Sequence, residues 1–497
     1  MAEPIAHLKA GAPGTRWVGE RLWFALVAAG LSLLTALVMT YSLQAGFGLV
    51  LVALVIALHL HDRRAGIAAL LALWLLAPMF RRLFDLLTGY VNADPLALAP
   101  VLATAGVAGL ELLRGDLPPR VRRILLLAGL GFTIGLPLGM LHPLSGLYTF
   151  AAYLAGLSAA VIGFHDVPSS RRSAMRRVLI VGLIPIAVYG IWQRVVGLPV
   201  WDQSWLNSVD FSSIGTGDGV HVRVFASLNA PGTLAPLLGV ALLCYLTVRR
   251  SRSGAALGAL ALAVALALTY VRAAWLALAL AALAHVIASR GRSARPILTA
   301  LVLTALATVA LSPVSVAARS VLDRATTVSS LGSDVSYSDR LTTLAQTAPN
   351  AIVAPLGHGL GSAGEQSRLD NPQALQTPDD GFLALLYQVG PIGFLLVLAA
   401  VAAITAAAWR SARGRAPGQD YRLLVFAVIV FFLVLLTAGD EFYGVTGVVF
   451  WYFGGQALAL QYGRDRVSLG PPEPSGTAIR AYRTLPAAPR TSHVARP

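Results

Sequence analysis

Apolar runs about 20 residues long, broken by short polar and charged segments, recur along almost the whole chain. Runs of that length and hydrophobicity match the thickness of a bilayer. A window of about 19 residues places spans near 22–41, 44–61, 65–80, 95–113, 124–141, 144–164, 178–196, 231–248, 254–271, 273–289, 297–317, 380–408, 423–438 and 444–462. Arg272, in the middle of 254–289, argues for two helices there and against one. The first apolar run is long enough to span, and the sequence around it lacks the pattern of a cleavable signal.

The polar segments are sorted. "HDRR", "RGDLPPRVRR", "DVPSSRRSAMRR", "RRSRS", "RGRSARP", "RSARGRAPGQDYR" and both terminal segments hold 29 of the 38 basic residues. The alternate connections keep nine: Arg81, Arg82, Arg194, Arg223, Arg272, Arg319, Arg324, Arg340 and Arg368. Short basic loops stay cytoplasmic, so the pattern predicts fourteen spans with both termini inside. The expected fold class is an all-α polytopic membrane protein of about 14 transmembrane helices, with a long external loop that contains short amphipathic helices. Its expected parts are a cytoplasmic segment over 1–21, a transmembrane domain over 22–462 and a disordered cytoplasmic tail over 463–497. External loops fall near 197–230 and 318–378.

Composition agrees with the pattern: 56% of residues are hydrophobic and 12% charged, and mean hydropathy is +0.70. No soluble core hides so much apolar side chain. The net charge of +15 would suit nucleic acid, but its sorting into one set of loops gives it a topological reading, so no nucleic-acid partner is expected. Cys244 is the single cysteine, which excludes an intrachain disulfide. No CxxC, HExxH, Walker-type or GxSxG pattern occurs, so no metal or cofactor is expected. Transporters keep their charges at the membrane midplane. Here the ionisable residues gather on external loops and outer helix ends, which points to work at the outer surface.

Four external stretches carry candidate chemistry. In "HVRVFASLNAPGTLAPLL", Arg223 precedes a span whose start is marked by Asn229, a capping residue type, and Pro231. It reads either as an anion contact beside a helix N-terminus or as a headgroup anchor. In "LTYVRAAWLAL", Arg272 stands at a helix start, and a turn residue facing water is the simpler alternative. In "SYSDRLTTLAQTAPNAIVAPLGHGLGSAG", Ser336 and Asp339 have capping-box spacing. Leu341, Leu344, Ala345 and Ala348 then recur at helical intervals up to Pro349, predicting an amphipathic helix on the membrane with Arg340 near its start. The glycine-rich turn 357–364 offers backbone N–H groups to phosphate or sugar. In "TPDDGFLALLYQVGPIGFLL", Asp380 is the expected helix cap, which leaves Asp379 as a candidate general base. His358 and His221 are rival bases, or solvated loop histidines.

In order and spacing, these stretches resemble the O-antigen polymerase and ligase family, membrane glycosyltransferases that use lipid-diphosphate-linked glycans. "RVFASLNAPGTLA" resembles the family's arginine followed by small residues and an Asn/Pro stretch, and "LTYVRAAWLAL" is similar to its "T-x-S-R-[GA]" helix start. "DRLTTLAQTAPNAIVAPLGHGLGSAG" is similar to its arginine, amphipathic helix and "P-L-x-G-x-G-x-G" turn. "PDDGFLALLYQVGPIGFLL" is similar to its "H-N-x-[YF]-L" motif, with Asp379 and Asp380 where that motif has His and Asn. The resemblance spans roughly 221–395. It implies a bacterial inner-membrane enzyme whose site faces outward and whose donor is a polyprenyl-diphosphate-linked oligosaccharide. Its acceptor would be a glycan or lipid-linked molecule, its surroundings membrane lipids, and its further candidate partner a chain-length regulator. It assigns diphosphate contacts to Arg223, Arg272 and Arg340, with Asp379 as the base of an inverting, metal-independent transfer. A polymerase of surface polysaccharide is the first expectation. A ligase to lipid A core or another terminal acceptor is the second, and a flippase or other transporter is the reading from another class.

Overall fold

The computed structural model describes residues 42–166, 174–209, 213–215, 222–246, 253–290, 335–371, 380–414 and 418–463. Among these residues the chain is helical, with no β-strand. In chain order the helices are α1 (Leu43–His61), α2 (Arg63–Thr88), α3 (Ala99–Arg114), α4 (Pro119–Ile134), α5 (Leu136–Gly139), α6 (Pro143–His165), α7 (Ala174–Val181) and α8 (Leu183–Val195). They continue with α9 (Val200–Ser208), α10 (Pro231–Leu246), α11 (Ser253–Leu268), α12 (Arg272–Ala288), α13 (Val335–Val353), α14 (Gly381–Arg413), α15 (Gln419–Leu435) and α16 (Gly444–Tyr462).

Among the described residues, seven helical stretches are long and apolar enough to cross a membrane: Leu43–His61, Arg63–Thr88, Pro95–Arg114, Pro119–Gly139, Pro143–His165, Met175–Val195 and Gly381–Arg413. Pro231–Tyr245, Ala256–Leu268 and Arg272–Ala288 are apolar but shorter. Of the expected fourteen spans, 22–41 and 297–317 lie outside the described residues. The predicted break at Arg272 is present: a turn over 269–271 separates α11 from α12, and Arg272 is the first residue of α12.

Glycines bring the long helices together, as small residues do where lipid removes the hydrophobic drive between helices. A Cβ on Gly163 of α6 would fall 2.0 Å from the Tyr452 carbonyl oxygen of α16, and one on Gly455 of α16 would fall 1.9 Å from the Ala160 oxygen of α6. Gly131 of α4 and Gly393 of α14 are reciprocal in the same way, each 2.7 Å from the other's carbonyl oxygen. Phe132, Tyr153, Phe442, Phe450 and Trp451 fill the core between these pairs.

Two local readings need correction. α13 begins at Val335, so Ser336 lies inside the helix and does not cap it. The helix also continues through Pro349 to Val353, since a proline removes one interior N–H donor without stopping every helix. Over 342–353 its buried positions are Thr347 and Ala351, while Leu344 and Ala345 are exposed.

One end of the bundle is closed by a charged knot. Glu111, 1% exposed, receives His59 Nε2 at 2.9 Å, Arg63 Nη2 at 2.7 Å and Arg114 Nη1 at 3.2 Å. Asp62 ends α1 and accepts the Arg64 amide at 2.9 Å to start α2. The "HDRR" corner is therefore a structural joint between α1 and α2.

Candidate functional site

The opposite end gathers the candidate stretches. Residues 222–228 run beside the end of α11: the Val224 amide donates to the Leu268 carbonyl at 3.1 Å, and Arg223 Nε donates to the Thr269 carbonyl at 3.0 Å. Arg223 Nη1 also donates to the Ser213 carbonyl at 3.2 Å. Thr269 lies three residues before Arg272, so these bonds join the Arg223 segment to the turn that leads into Arg272. Both segments hold a non-glycine residue in the left-handed region, Ala226 at φ +51° and Tyr270 at φ +55°. Such backbone persists only where its surroundings over-determine it, and it concentrates at functional sites. Asn229 is not the cap of α10. The Ala230 carbonyl accepts the Thr233 and Leu234 amides, both at 3.2 Å, and Asn229 Oδ1 is buried without a hydrogen-bond partner among the described residues.

The glycine turn has a different use from the one its sequence suggested. Gly357, Gly359, Gly361 and Gly364 all have positive φ, from +72° to +96°. Yet the N–H groups of 357–362 all find acceptors within the protein. His358 donates to the Tyr387 carbonyl at 2.8 Å, Gly359 to the Gln388 carbonyl at 3.1 Å, Leu360 to the Gly135 carbonyl at 2.9 Å and Gly361 to Gln388 Oε1 at 3.0 Å. Gly357 and Ser362 donate to Ala354 and Gly359 carbonyls. The turn is a plug seated between α4, α5 and α14, and those amides are already spent. Glycine is required because a Cβ on Gly357 would meet the Gly390 amide at 2.5 Å, where α14 itself breaks at φ +69°.

Asp380 caps α14 as expected: its Oδ1 accepts the Leu383 amide at 3.0 Å. The next residue donates its amide to the Leu436 carbonyl at 2.8 Å, and a Cβ on Gly381 would sit 2.3 Å from the Gly439 oxygen. The start of α14 is thereby pressed onto the loop 437–443, which carries Asp440 and Glu441. Burial pushes the Asp440 carboxyl up to about 6, against a hydrogen bond from Tyr153 and the Phe442 amide. Burial likewise pushes Glu441 up to about 8, opposed by a bond from Thr446 and assisted by Asp440. Gln388 Nε2 donates to Tyr153 Oη at 3.2 Å, and Tyr153 donates to Asp440, so one polar chain runs from the glycine turn to this loop. The pair "DE" at 440–441 was legible as two acids between spans; its contact with the Asp380 stretch was not.

His358 is exposed and stacks on Tyr387, with ring centroids 4.0 Å apart. Asp379 and His221 lie outside the described residues, and Arg340 sits in α13 with its side chain outside them. Asp370 is a further residue the sequence did not single out. It caps α6 by accepting the Leu144 and Ser145 amides at 2.8 and 3.0 Å and the Ser145 hydroxyl. Burial pushes its carboxyl upward, but these bonds, Ser145 Oγ first, hold it below the usual value. Asn92 Nδ2 donates to the Arg368 carbonyl at 3.4 Å, and Arg81 Nη2 to the Val91 carbonyl at 2.7 Å. The loop after α2 thus ties the arginine side of this end to the glycine-turn side. Among the described residues no group of three or more His, Cys, Asp or Glu side chains could hold a metal ion.

Residues 257–398 match a family model described as O-antigen ligase. The match covers most of α11, all of α12 and α13, the glycine turn and α14 as far as Leu398. Arg272, Arg340, His358, Asp379 and Asp380 lie within it, and Arg223 lies before it. No curated protein matches the chain.

Proposed function

We propose that this multi-pass membrane protein, which carries a domain of the O-antigen ligase family at residues 257–398, is an inverting polymerase of lipid-linked glycan. Its donor is an oligosaccharide on polyprenyl diphosphate, presented at the outer face of the bacterial cytoplasmic membrane, and its acceptor is a second glycan chain. The acceptor hydroxyl oxygen attacks the anomeric carbon from the face opposite the diphosphate. The bond from that carbon to the phosphate oxygen breaks, its electron pair leaves with the polyprenyl diphosphate, and the hydroxyl proton passes to a base.

Negative charge builds on the leaving diphosphate, and fixed guanidinium groups stabilise it in a site of low dielectric. Arg223 and Arg340 take that role, with Arg272 as a weaker member, so the reading needs no metal. Asp379 takes the proton, next to a residue already committed to capping. The observation that carries the reading is the bond from Arg223 to the Thr269 carbonyl. It supports two arginines working together, one inside the matched domain and one outside it.

The test is glycan extension in proteoliposomes supplied with polyprenyl-diphosphate-linked oligosaccharide, with EDTA present and nucleotide absent. Products of increasing length from wild type, lost in Arg223→Ala, Arg340→Ala and Asp379→Asn, are the expected result. Transfer of one glycan to a lipid A core or other terminal acceptor without elongation would replace polymerase by ligase. Movement of the donor across the bilayer with no new glycosidic bond would refute the enzyme.

A further inference from the structure

Beneath the Arg223 segment lies a charged pair that the glycosyl-transfer reading does not use. Arg82 of α2 and Asp202 of α9 have fully buried side chains, with Nη1 and Oδ1 2.8 Å apart. The Arg82 guanidinium lies 5.1 Å from the Phe225 ring centre and 5.7 Å from that of Trp205. Its Nη2 donates to the Ala226 carbonyl at 2.9 Å. Gln193 completes the grip: its Oε1 accepts the Ala226 amide at 2.8 Å, and its Nε2 donates to Asp202 Oδ2 at 2.6 Å. Tyr189 donates to the same carboxylate oxygen at 2.6 Å. Next along the chain, Ser227 Oγ donates to the Leu75 carbonyl of α2 at 2.7 Å.

Ala226 is the left-handed residue three positions after Arg223. Both of its backbone polar groups are held by side chains from other helices. A buried ion pair adds little net stability compared with apolar residues of the same volume, so stability alone does not account for it. A guanidinium with donors aimed in two directions can bind a carboxylate and a backbone carbonyl at once, which an apolar side chain or a single donor cannot do.

We propose that Arg82, fixed by Asp202, is a positioning residue that sets the place of Arg223 by holding the Ala226 turn. The inference rests on Arg223 contacting the donor diphosphate. A guanidinium misplaced by about 1 Å still attracts the ground-state anion but loses alignment with the charge that develops on departure, at a cost of about 100-fold in rate. The loss therefore falls on kcat.

The experiment compares Arg82→Met/Asp202→Leu, Arg82→Lys and Arg223→Ala in the extension assay, with kcat and donor KM measured separately. Unfolding in detergent and hydrogen exchange over 222–228 are followed beside them. The double variant removes both buried charges and so avoids stranding one; Arg82→Lys keeps the charge paired if the double variant does not fold. Expected are a cooperative unfolding transition, lowered only by the Tyr189 and Gln193 bonds that Asp202→Leu removes, faster exchange over 222–228 and a kcat lowered by about 100-fold in the double variant, with donor KM little changed. Arg82→Lys should fall between it and wild type. Wild-type kcat in the folded variants beside an inactive Arg223→Ala overturns the inference and leaves the proposed function standing, as does a loss carried wholly by KM. Wild-type activity in Arg223→Ala removes the role of Arg223 and this inference with it.

Discussion

Replacing Asp380 separates capping from catalysis, because the two roles differ in size by orders of magnitude. Its carboxylate accepts one amide, Leu383, at 3.0 Å, and it sits where the α14 dipole favours negative charge. Asparagine keeps an oxygen acceptor and loses only the charge, for about 0.3–1 kcal/mol. Alanine also loses the cap, for about 0.5–2 kcal/mol. Against a native stability of about 5–15 kcal/mol, neither change depopulates the folded state. Asp380→Asn should therefore retain glycan extension within about twofold, whereas loss of a general base costs about 10²–10⁴-fold. The assay is initial-rate extension in proteoliposomes at fixed protein, with Asp379→Asn measured alongside. Loss of two orders of magnitude in a folded Asp380→Asn, with Asp379→Asn active, would exchange the two roles and refute the division of labour.

Further outcomes follow from the packing and the titrating groups. Gly163→Ala and Gly455→Ala place a methyl about 2 Å from a backbone oxygen across the α6–α16 contact; each should destabilise by at least the 1–3 kcal/mol typical of overpacking, read as a lower unfolding temperature in detergent. Glu441 is raised to about 8 by burial, so the folded state holds a proton that the unfolded chain has released above its ordinary value. Stability from this group is complete at low pH and declines as pH rises to about 8, and Glu441→Gln should flatten that limb of the pH–stability curve. Asp370 is lowered in the folded state, so its contribution is lost as pH falls through its folded value. Asp370→Ala should remove that acid limb and cost about 1 kcal/mol through the lost α6 cap. A pH–stability curve unchanged by either substitution would contradict the assignment.

What could be read in the sequence was local or membrane-length. The apolar runs marked α1 to α8 because the bilayer sets their length, Arg272 marked a break because a charge is costly within a span, and Asp380 marked its own cap. The rest depends on partners distant along the chain. Asp370 caps a helix that starts more than 220 residues earlier, and Arg82 reaches a carbonyl 144 residues away. The glycine turn looked like a phosphate cradle because its sequence says nothing of Gly135 and Gln388, which occupy its amides. Pro349 looked like a stop because its missing donor is local, whereas the contacts that carry α13 onward come from α14. Arg81 and Arg82 read as loop charges in the sequence, yet both are helical and Arg82 is fully buried.

The break at Gly390 divides α14 into unequal lengths. Residues 391–413, at about 1.5 Å each, reach about 34 Å, enough by themselves to cross a hydrocarbon core of about 30 Å. The arm over 381–389 is then surplus to the crossing. Membrane thickness constrains one side of the break, and the placing of Asp380 against the 437–443 loop constrains the other. The glycine turn packs into the break itself, where a Cβ on Gly390 would fall 2.3 Å from the Gly357 amide nitrogen, so the two constraints meet at a joint that a third segment holds.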